Sequence, residues 1–522
     1  MALLRGAGKN GMIAMQDYIR RILTSAVYEV AEETPLEPMR QLSAKLGAPI
    51  LLKREDLQPV FSFKIRGAHN KIAHLTAEER GRGVICASAG NHAQGVALSA
   101  SRRGTRAVIV MPTTTPSIKV ESVKRFGGEV VLHGDGFDDA RTHAAELAAR
   151  DGLVFVHPFD DPDVIAGQGT IGVELLRQMP ANTAAIYLPI GGGGLAAGIA
   201  AYVKFLRPEM KVYGVEPADA ASMQAAFTAG GPVTLDQVGL FADGVAVRRV
   251  GDETYRLCRA TLDGIVTVST DEICAAIKDI FDDTRAIAEP AGALALAGLR
   301  HHVETGAAPA GALIAVNSGA NINFDRLRHV SERAEIGERG EALLAVTIPE
   351  VPGSYRAFMR LLGNRAITEF NYRYAHGQPA RIFVGVKLKQ GEAEKQQIIA
   401  LLRGEGHDVV DMTDNELAKL HIRYMVGGRA AHLGDELIYR FQFPERPGAL
   451  LQFLETLQPA WNISLFHYRN HGADFGRVLA GIQVPAESQK LFAKSLESLG
   501  YPYWDETANP AYRLFLDSAE TD

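Results

Sequence analysis

A lysine flanked by aromatic residues, Lys64, stands in the segment Ser62-Phe63-Lys64. Lysine forms Schiff bases with aldehyde cofactors when the removal of water lowers its pKa. Phe61 and Phe63 are expected to supply the apolar surroundings that keep water away from such a lysine. A lone lysine between a strand and a helix is more often a solvated surface residue, so Lys64 alone defines no site.

Four consecutive glycines and a leucine form the run Gly191-Gly192-Gly193-Gly194-Leu195, between a β-rich segment and a helical one. Such a run is entropically costly unless something uses it, and backbone N–H groups at a helix N-terminus bind phosphate well. The run has neither the dinucleotide-binding pattern nor the Gly-Lys-Ser/Thr of a Walker loop. It predicts a phosphate site of another kind, with a flexible unliganded loop as the alternative.

A second anion loop is predicted at Ser88-Ala89-Gly90-Asn91-His92, again between a β-rich run and a helix. Small residues and the N–H groups of a helix start favour a bound carboxylate, and Asn91 could donate to a phenolate-type oxygen. The alternative is a plain helix N-cap formed by Ser88 or Asn91.

Ser318, in the segment Asn317-Ser318-Gly319-Ala320-Asn321, follows the last β-rich run of this part of the chain. A serine hydroxyl can bond a ring nitrogen of a ligand. A serine turn at the end of a strand is the alternative.

The elements that must position these loops alternate between β-rich runs and Ala- and Leu-rich helical stretches, from about residue 20 to residue 330. This alternation predicts a mostly parallel sheet covered by helices, with ligands at the carboxyl ends of the strands. The strand-like runs are Val84–Ala87, Ala107–Met111, Glu129–His133, Ala185–Ile190, Val212–Glu216 and Ala312–Asn317.

Composition bounds the class of protein. The 522 residues carry a formal net charge of −6, which favours no nucleic-acid partner. Three widely spaced cysteines, Cys86, Cys258 and Cys274, suggest buried inert thiols and a reducing compartment. No apolar run reaches the roughly 18 residues of a membrane span, so a cytoplasmic protein with no membrane partner is expected.

The C-terminal part contains an internal repeat, after a charged stretch at His329–Glu341 that suggests a linker or a solvated helix. Glu350-Val-Pro-Gly353 and Phe370-Asn-Tyr-Arg373 recur about 95 residues later as Glu445-Arg-Pro-Gly448 and Phe466-His-Tyr-Arg469. Each copy has the strand, helix, strand and strand order that begins a ferredoxin-like βαββαβ unit.

Taken in order, the lysine, the two anion loops and the terminal serine resemble the tryptophan-synthase-like (fold type II) pyridoxal-phosphate enzymes. Ser-Phe-Lys-Ile-Arg-Gly-Ala, Ser-Ala-Gly-Asn-His-Ala-Gln-Gly, Ala-Asp-Gly-Val-Ala-Val and Arg-Ala-Ile-Ala-Glu-Pro-Ala-Gly-Ala all resemble threonine dehydratase. The tandem repeat is similar to the long, biosynthetic form, whose repeats are ACT-like domains that bind branched-chain amino acids. The resemblance implies an α/β catalytic domain at 1–335 and α+β ACT-like domains at 341–412 and 436–512.

The resemblance also assigns roles to residues. Lys64 matches the Schiff-base lysine, Asn91 the partner of the cofactor 3′-oxygen, and Ser318 the partner of the pyridine nitrogen. Glu289 lies near the active site in relatives, without a clear role. The residues assigned to pyridoxal 5′-phosphate are Lys64, Asn91, Gly191, Gly192, Gly193, Gly194, Leu195 and Ser318. Those expected at the substrate carboxylate are Ser88, Ala89, Gly90, Asn91 and His92.

The implied reaction is the conversion of L-threonine to 2-oxobutanoate and ammonia, the first committed step of isoleucine biosynthesis, with feedback inhibition by isoleucine. Valine is expected as a second effector, and a homotetramer as the assembly. Tyr372 and Tyr468 occupy equivalent repeat positions and are candidate effector-sensing residues, with core aromatics as the alternative.

Other readings remain open. Some relatives bind a cation after a Val-Glu-Pro segment through the Glu and a later Asp; here Val215-Glu216-Pro217 is followed by Ser222, so no divalent metal is expected. Another fold type II enzyme is a rival, such as a serine/threonine dehydratase, serine racemase or threonine synthase. A non-catalytic amino-acid sensor is a rival of a different class, although both Lys64 and the glycine run are present.

Overall fold

The computed structural model describes residues 9–349, 354–363, 365, 367–372, 380–422, 435–444, 452–453, 456–457, 461–469 and 475–516. The α-helices are α1 (Lys9–Leu23), α2 (Arg40–Leu46), α3 (Lys64–Ala73), α4 (Ala77–Arg82), α5 (Asn91–Arg102), α6 (Ser117–Arg125), α7 (Phe137–Asp151), α8 (Pro162–Gln178), α9 (Gly194–Leu206), α10 (Ser222–Ala229), α11 (Asp252–Thr261), α12 (Thr270–Thr284), α13 (Pro290–Glu304), α14 (Arg326–Gly337), α15 (Ser354–Leu362), α16 (Gly391–Gly404), α17 (Glu416–Leu420), α18 (Gln489–Leu499) and α19 (Pro510–Phe515). The strands are β1 (Leu36–Pro38), β2 (Ile50–Arg54), β3 (Val84–Ala87), β4 (Ala107–Met111), β5 (Glu129–Leu132), β6 (Val154–Phe155), β7 (Thr183–Pro189), β8 (Lys211–Pro217), β9 (Gly264–Val268), β10 (Ala312–Asn317), β11 (Glu341–Ile348), β12 (Ile367–Tyr372), β13 (Ala380–Lys387), β14 (Asp408–Asp411), β15 (Glu436–Pro444), β16 (Asn462–Arg469), β17 (Phe475–Gln483) and β18 (Tyr503–Asp505).

The chain divides into an N-terminal unit, Met1–Ala334, and a C-terminal unit, Glu335–Asp522. Within the N-terminal unit the larger sheet has the strand order β1-β2-β10-β7-β8-β9. All its neighbouring pairs are parallel except β1 and β2. Strand β10 is buried along its whole length, which explains why parallel strands covered on both faces appear in sequence as continuous apolar runs.

A smaller sheet of the N-terminal unit has the order β5-β4-β3-β6, and all its pairs are parallel. The glycine loop follows β7, Ser318 follows β10, and the loop at 88–92 follows β3. The three loops therefore begin at carboxyl ends of strands, where open α/β sheets gather ligands. The predicted parallel strands covered by helices are confirmed, but they form two sheets instead of one.

Helix α3 begins at Lys64 and packs closely against α8. A Cβ added to Gly67 would lie 2.7 Å from the carbonyl oxygen of Val164, so α3 and α8 touch backbone to backbone. On the same helix, the fully buried Arg66 donates to Glu174 Oε1 on α8 at 2.6 Å. Close packing and a buried ion pair together fix the start of the helix that carries the candidate lysine.

The two repeats of the C-terminal unit have matching four-stranded antiparallel sheets. Their strand orders are β12-β13-β11-β14 and β16-β17-β15-β18. In each repeat the first and third strands pair along their whole length. Helices α16 and α18 supply the second helix of each repeat. This strand order confirms the predicted ferredoxin-like units.

The charged stretch at 329–341 does not form the solvated helix that its composition suggested. Most of it belongs to α14, on which His329 and Arg333 are only 7% and 6% exposed. Arg333 donates to Asp271 at 2.5 Å, and the ring of His329 packs against Phe241. Long-range partners bury this polar helix face, and composition does not reveal such partners. Within the described residues, no helix is long and apolar enough to cross a membrane.

Candidate active site

Lys64 lies at the first turn of α3 and is half-buried. Lys64 Nζ donates to the carbonyl oxygen of Pro158 at 2.9 Å and lies 5.4 Å from the centre of the Phe63 ring. Burial lowers the pKa of Lys64 to about 8, and the nearby Glu289 carboxylate opposes this shift. An amine with this pKa is partly neutral near pH 7, as a nucleophile or general base must be.

The apolar surroundings of Lys64 differ from the expectation in one respect. Phe63 faces the lysine, but Phe61 is 57% exposed, so the prediction that both rings enclose the amine was wrong. Phe61 has a φ of 55°, which is unusual for a residue with a side chain. The amine of Lys64 instead contacts the segment at Pro158, which supplies a backbone carbonyl.

The glycine loop packs so tightly that side chains are excluded. A Cβ on Gly192 would lie 2.2 Å from the ring of Phe159, and one on Gly194 would lie 2.9 Å from the Phe159 carbonyl oxygen. Gly193 adopts a φ of 96° and caps the N-terminus of α9. Because Phe159 follows Pro158, the wall of the lysine pocket is also the surface that packs against the glycine loop.

The carbonyl groups of the glycine loop point into the protein. The Gly192 carbonyl oxygen accepts from Thr254 Oγ1 at 2.6 Å, and the Gly193 carbonyl accepts from the Cys258 thiol at 3.8 Å. In a trans peptide the N–H points opposite to the C=O, so the N–H groups of Gly193 and Gly194 face away from α11. This arrangement suits an anion at the start of α9.

The loop at 88–92 leads into α5 from the end of β3. Ser88 Oγ accepts the N–H of Gly90 at 3.3 Å, and Ser88 to Asn91 are half-buried. His92 is buried, and burial together with nearby Lys64 lowers its pKa to about 3. His92 is therefore neutral, and the N–H groups at the start of α5 supply the positive potential for a carboxylate.

Ser318 and Gly319 join these parts. The N–H of Phe63 donates to the Ser318 carbonyl oxygen at 3.2 Å, and Ser62 and Gly319 form an antiparallel bridge. Ser318 Oγ donates to the carbonyl of Ala291 at 3.2 Å, and its hydroxyl can rotate toward a ligand. The loop after β10 therefore contacts the loop that carries Lys64.

Glu289 connects the loop after β10 to Asn91. Asn91 Nδ2 donates to Glu289 Oε1 at 2.5 Å, and a Cβ on Gly319 would lie 2.4 Å from the same oxygen. Burial, and secondarily Asp243, raises the pKa of Glu289 to about 7, against the hydrogen bond from Asn91. The resemblance placed Glu289 near the active site without a role; in the structure its carboxyl group lies between Asn91 and Gly319.

Two further predictions concern Glu216 and Ser222, as possible cation ligands, and the three cysteines. Glu216 is buried and accepts the N–H groups of Met223 and Gln224, at the start of α10, at 2.8 Å each. Burial raises the pKa of Glu216 to about 7, while these two bonds lower it. Ser222 is buried beside them. The three cysteines are buried, as predicted.

The candidate effector positions lie in the C-terminal unit. Tyr372 and Tyr468 belong to the second strand of each repeat, opposite Ile382 and Val478 on the third strand. The backbone places them equivalently, and their side chains lie outside the description. The Pro-Gly turns at 352–353 and 447–448 also lie outside the described residues.

Two contributors were missed by sequence reasoning. Pro158 acts through its backbone carbonyl, which no side-chain pattern reveals. Asn321 belongs to the segment at 317–321, in which the sequence analysis assigned a role to Ser318 alone. Asn321 Nδ2 donates to Asn91 Oδ1 at 2.6 Å. The signal in the sequence was that an asparagine follows each of two different strands.

The donor set fits pyridoxal phosphate. It combines a desolvated amine for the aldehyde, a helix N-terminus with side-chain-free glycines for the phosphate, and an amide and a hydroxyl for the ring substituents. Residues 27–319 match the family of pyridoxal-phosphate dependent enzymes. Fold and site thus define an enzyme of this class, and residues 332–422 and 427–516 each match the C-terminal regulatory domain of threonine dehydratase.

Similar proteins make the assignment more specific. The biosynthetic L-threonine dehydratase IlvA of Burkholderia multivorans is 57% identical over 507 residues, covering 97% of this chain and 100% of that protein. The Escherichia coli enzyme is 55% identical over 96% of this chain and 97% of its own length. The solved processed form of threonine deaminase isoform 2 from Solanum lycopersicum is 50% identical, with a TM-score of 0.60 over 62% of this chain and 93% of that chain. The chain belongs to the biosynthetic threonine dehydratase family.

Proposed function

We propose that this chain converts L-threonine to 2-oxobutanoate and ammonia, as the first committed step of isoleucine biosynthesis, under feedback inhibition by isoleucine. The observation that carries the proposal is the half-buried Lys64, whose amine has a pKa lowered to about 8, in one site with a glycine loop at a helix N-terminus. Similarity to biosynthetic threonine dehydratases over 97% of the chain supports threonine as the substrate.

Four groups of residues would hold pyridoxal phosphate. Lys64 would hold the aldehyde carbon, Gly191–Leu195 the phosphate, Asn91 the phenolic oxygen and Ser318 the ring nitrogen. When bound, pyridoxal phosphate supplies the electron sink for the negative charge that develops on the substrate α-carbon. A serine at the ring nitrogen does not keep that nitrogen protonated, as a carboxylate would, and this favours elimination over transamination.

The chain's own residues perform the remaining work. The N–H groups of the loop at 88–92 hold the threonine carboxylate and so fix the orientation of the α-carbon. Once the threonine amine has displaced Lys64 from the aldehyde carbon, the freed Lys64 amine would remove the α-proton as a general base, because burial leaves it partly neutral near pH 7. Loss of the α-proton and of the β-hydroxyl as water leaves an enamine, which hydrolyses to 2-oxobutanoate and ammonium.

We assign regulation to the C-terminal unit. Its two repeats, proposed at 341–412 and 436–512, would bind isoleucine, with valine as a second effector and with Tyr372 and Tyr468 as sensing residues. The catalytic part is proposed at 1–335. A homotetramer and a cytoplasmic location complete the proposal.

The test is a steady-state assay of the purified chain with pyridoxal phosphate and threonine, with 2-oxobutanoate measured directly. Isoleucine should inhibit without competing with threonine, because a separate site acts through a coupling free energy of roughly 1–3 kcal/mol. Absence of 2-oxobutanoate would contradict the catalytic assignment. Purely competitive inhibition would contradict the regulatory one.

A further inference from the structure

A directed series of hydrogen bonds runs through Asn321. Asn321 Nδ2 donates both to the carbonyl oxygen of Val60, at 2.8 Å, and to Asn91 Oδ1, at 2.6 Å. Asn91 Nδ2 in turn donates to Glu289 Oε1 at 2.5 Å. The series therefore connects the loop before Lys64 to the candidate cofactor-binding amide.

The direction of this series is set by a backbone carbonyl. The Val60 oxygen can only accept, so it must face the NH2 group of Asn321 and not its oxygen. The same NH2 group then offers its second hydrogen to Asn91 and holds the Asn91 oxygen toward Asn321. The Asn91 NH2 group is consequently turned the other way. It has two N–H groups, and the bond to Glu289 uses one of them.

The carbonyl at the start of the series is itself fixed. The left-handed φ of 55° at Phe61 orients the peptide group between Val60 and Phe61. The N–H of Ala320 donates to the Phe61 carbonyl at 2.9 Å, so the loop before Lys64 and the loop after β10 support each other. A flip of the Asn321 amide would therefore lose both bonds of its NH2 group.

We propose that Asn321 is a positioning residue, which fixes the Asn91 amide so that an N–H, and not a carbonyl oxygen, faces the phenolic oxygen of the cofactor. This inference rests on the proposed contact between Asn91 and the cofactor. A flipped Asn91 would place its oxygen against an electron-rich phenolic oxygen, which converts an attractive contact into a repulsive one. Asn321 thus acts on the cofactor through Asn91, without touching it.

The experiment compares Asn321→Asp with Asn321→Ala in the full-length holoenzyme. Aspartate keeps the size of asparagine, but it can only accept when ionised, so it attracts the Asn91 NH2 group and flips that amide. Alanine only removes a partner. We expect Asn321→Asp to weaken pyridoxal phosphate binding by about tenfold or more and to shift the visible absorption band of the bound cofactor. Asn321→Ala should show a smaller change in both.

This ranking separates positioning from mere packing, because a packing role makes the smaller alanine the more harmful change. Equal effects, or a larger effect of alanine, would overturn the proposal. If the aspartate variant does not fold, the alanine variant decides: an absorption band and an affinity equal to wild type would overturn the proposal. Asn182→Asp, at an exposed loop residue, controls for the added negative charge.

Asn91→Ala separates this inference from the assignment on which it rests. If Asn91→Ala leaves cofactor affinity and absorption unchanged, the contact between Asn91 and the cofactor is wrong. If Asn91→Ala alters them while both Asn321 variants equal wild type, only the positioning role of Asn321 is wrong.

Discussion

The residues of the candidate site in the N-terminal unit occur once in the sequence. In the C-terminal unit, by contrast, the same structural hydrogen bonds recur in both repeats. In the N-terminal unit, for example, Gly192 must be a glycine, because a side chain there would enter the ring of Phe159. In the repeats, by contrast, Glu341 bonds Thr368 between the first and second strands, and Glu436 bonds Ser464 in the same way. Both Thr368 and Ser464 sit where the strand register shifts.

Further bonds follow the same symmetry. Thr413 Oγ1 accepts the N–H of Leu343 at 3.2 Å, and Thr507 Oγ1 accepts that of Ile438 at 3.0 Å. A ligand site thus selects unusual residues at single positions, while a duplicated domain preserves in both copies what its backbone requires. A substitution at the candidate site of the N-terminal unit should therefore alter chemistry, and one at the repeated positions of the C-terminal unit should alter effector response or local stability.

The largest expected effect that tests this contrast is Lys64→Ala. Loss of the general base should reduce threonine turnover by about a thousandfold or more, and borohydride reduction should no longer attach the cofactor at this position. Isoleucine binding, measured by calorimetry, should survive because the effector site is assigned to the other unit. Lys124→Ala, at an exposed lysine, is the control. Loss of isoleucine binding in Lys64→Ala would show that the two regions are not separable.

Next in size is Gly193→Asp. The new Cβ would lie 2.8 Å from Met223 Cε at a φ of 96°, and the carboxylate would stand beside the phosphate. We expect cofactor affinity to fall about 100-fold from strain and like-charge repulsion together. Gly230→Asp is the matched control, since Gly230 has a φ of 76° and nothing within 4 Å of an added Cβ. Equal losses in both variants would place the phosphate elsewhere.

These two positions also show what sequence can predict. The glycine run and Lys64 were found because their residue types are costly or reactive wherever they occur, and the apolar strands because burial on both faces demands them. The role of Pro158 escaped, since a backbone carbonyl leaves no trace in residue type. The burial of α14 escaped as well, because it depends on Asp271, which lies 62 residues before Arg333 in the chain.

A third prediction concerns pH and the N-terminal unit alone. Burial lowers the pKa of Lys64 to about 8, so the neutral amine that attacks an aldehyde becomes more abundant as pH rises and saturates above that value. Cofactor uptake by the cofactor-free chain should therefore rise about tenfold per pH unit below the midpoint and then level off. In Glu289→Gln the midpoint should move lower, because the Glu289 charge raises the Lys64 pKa. Stopped-flow absorbance measures the rate, and a midpoint at the pKa of an ordinary lysine would contradict the buried site.

In the C-terminal unit, Tyr372→Leu and Tyr468→Leu test whether duplication also means equal roles. Each should raise the isoleucine concentration for half inhibition by about tenfold, within the usual range of coupling energies. Steady-state inhibition curves at fixed threonine provide the measurement. A shift in only one variant would indicate that the repeats have diverged into unequal sites, and a shift in neither would leave the tyrosines as core residues.

The smallest expected effect concerns the caps where the two repeats meet. Asn415 caps α17 and Asn509 caps α19, and Asn415 Nδ2 donates to Asn509 Oδ1 at 3.0 Å. Each change to alanine should cost about 1 kcal/mol of unfolding free energy. The double variant should cost less than the sum, because both single changes break the same bond between the repeats.

Both tryptophans, Trp461 and Trp504, lie in the second repeat, so tryptophan fluorescence during urea unfolding reports on the C-terminal unit. Thr76→Ala is the matched control, since Thr76 caps α4 in the N-terminal unit through a reciprocal bond with Glu79. It should remove a similar free energy from the other unit and leave the tryptophan transition in place. If Thr76→Ala shifts that transition as much as Asn509→Ala does, the two units unfold together. The contrast between them would then hold for chemistry but not for stability, because a cap lost anywhere would weaken the whole chain equally.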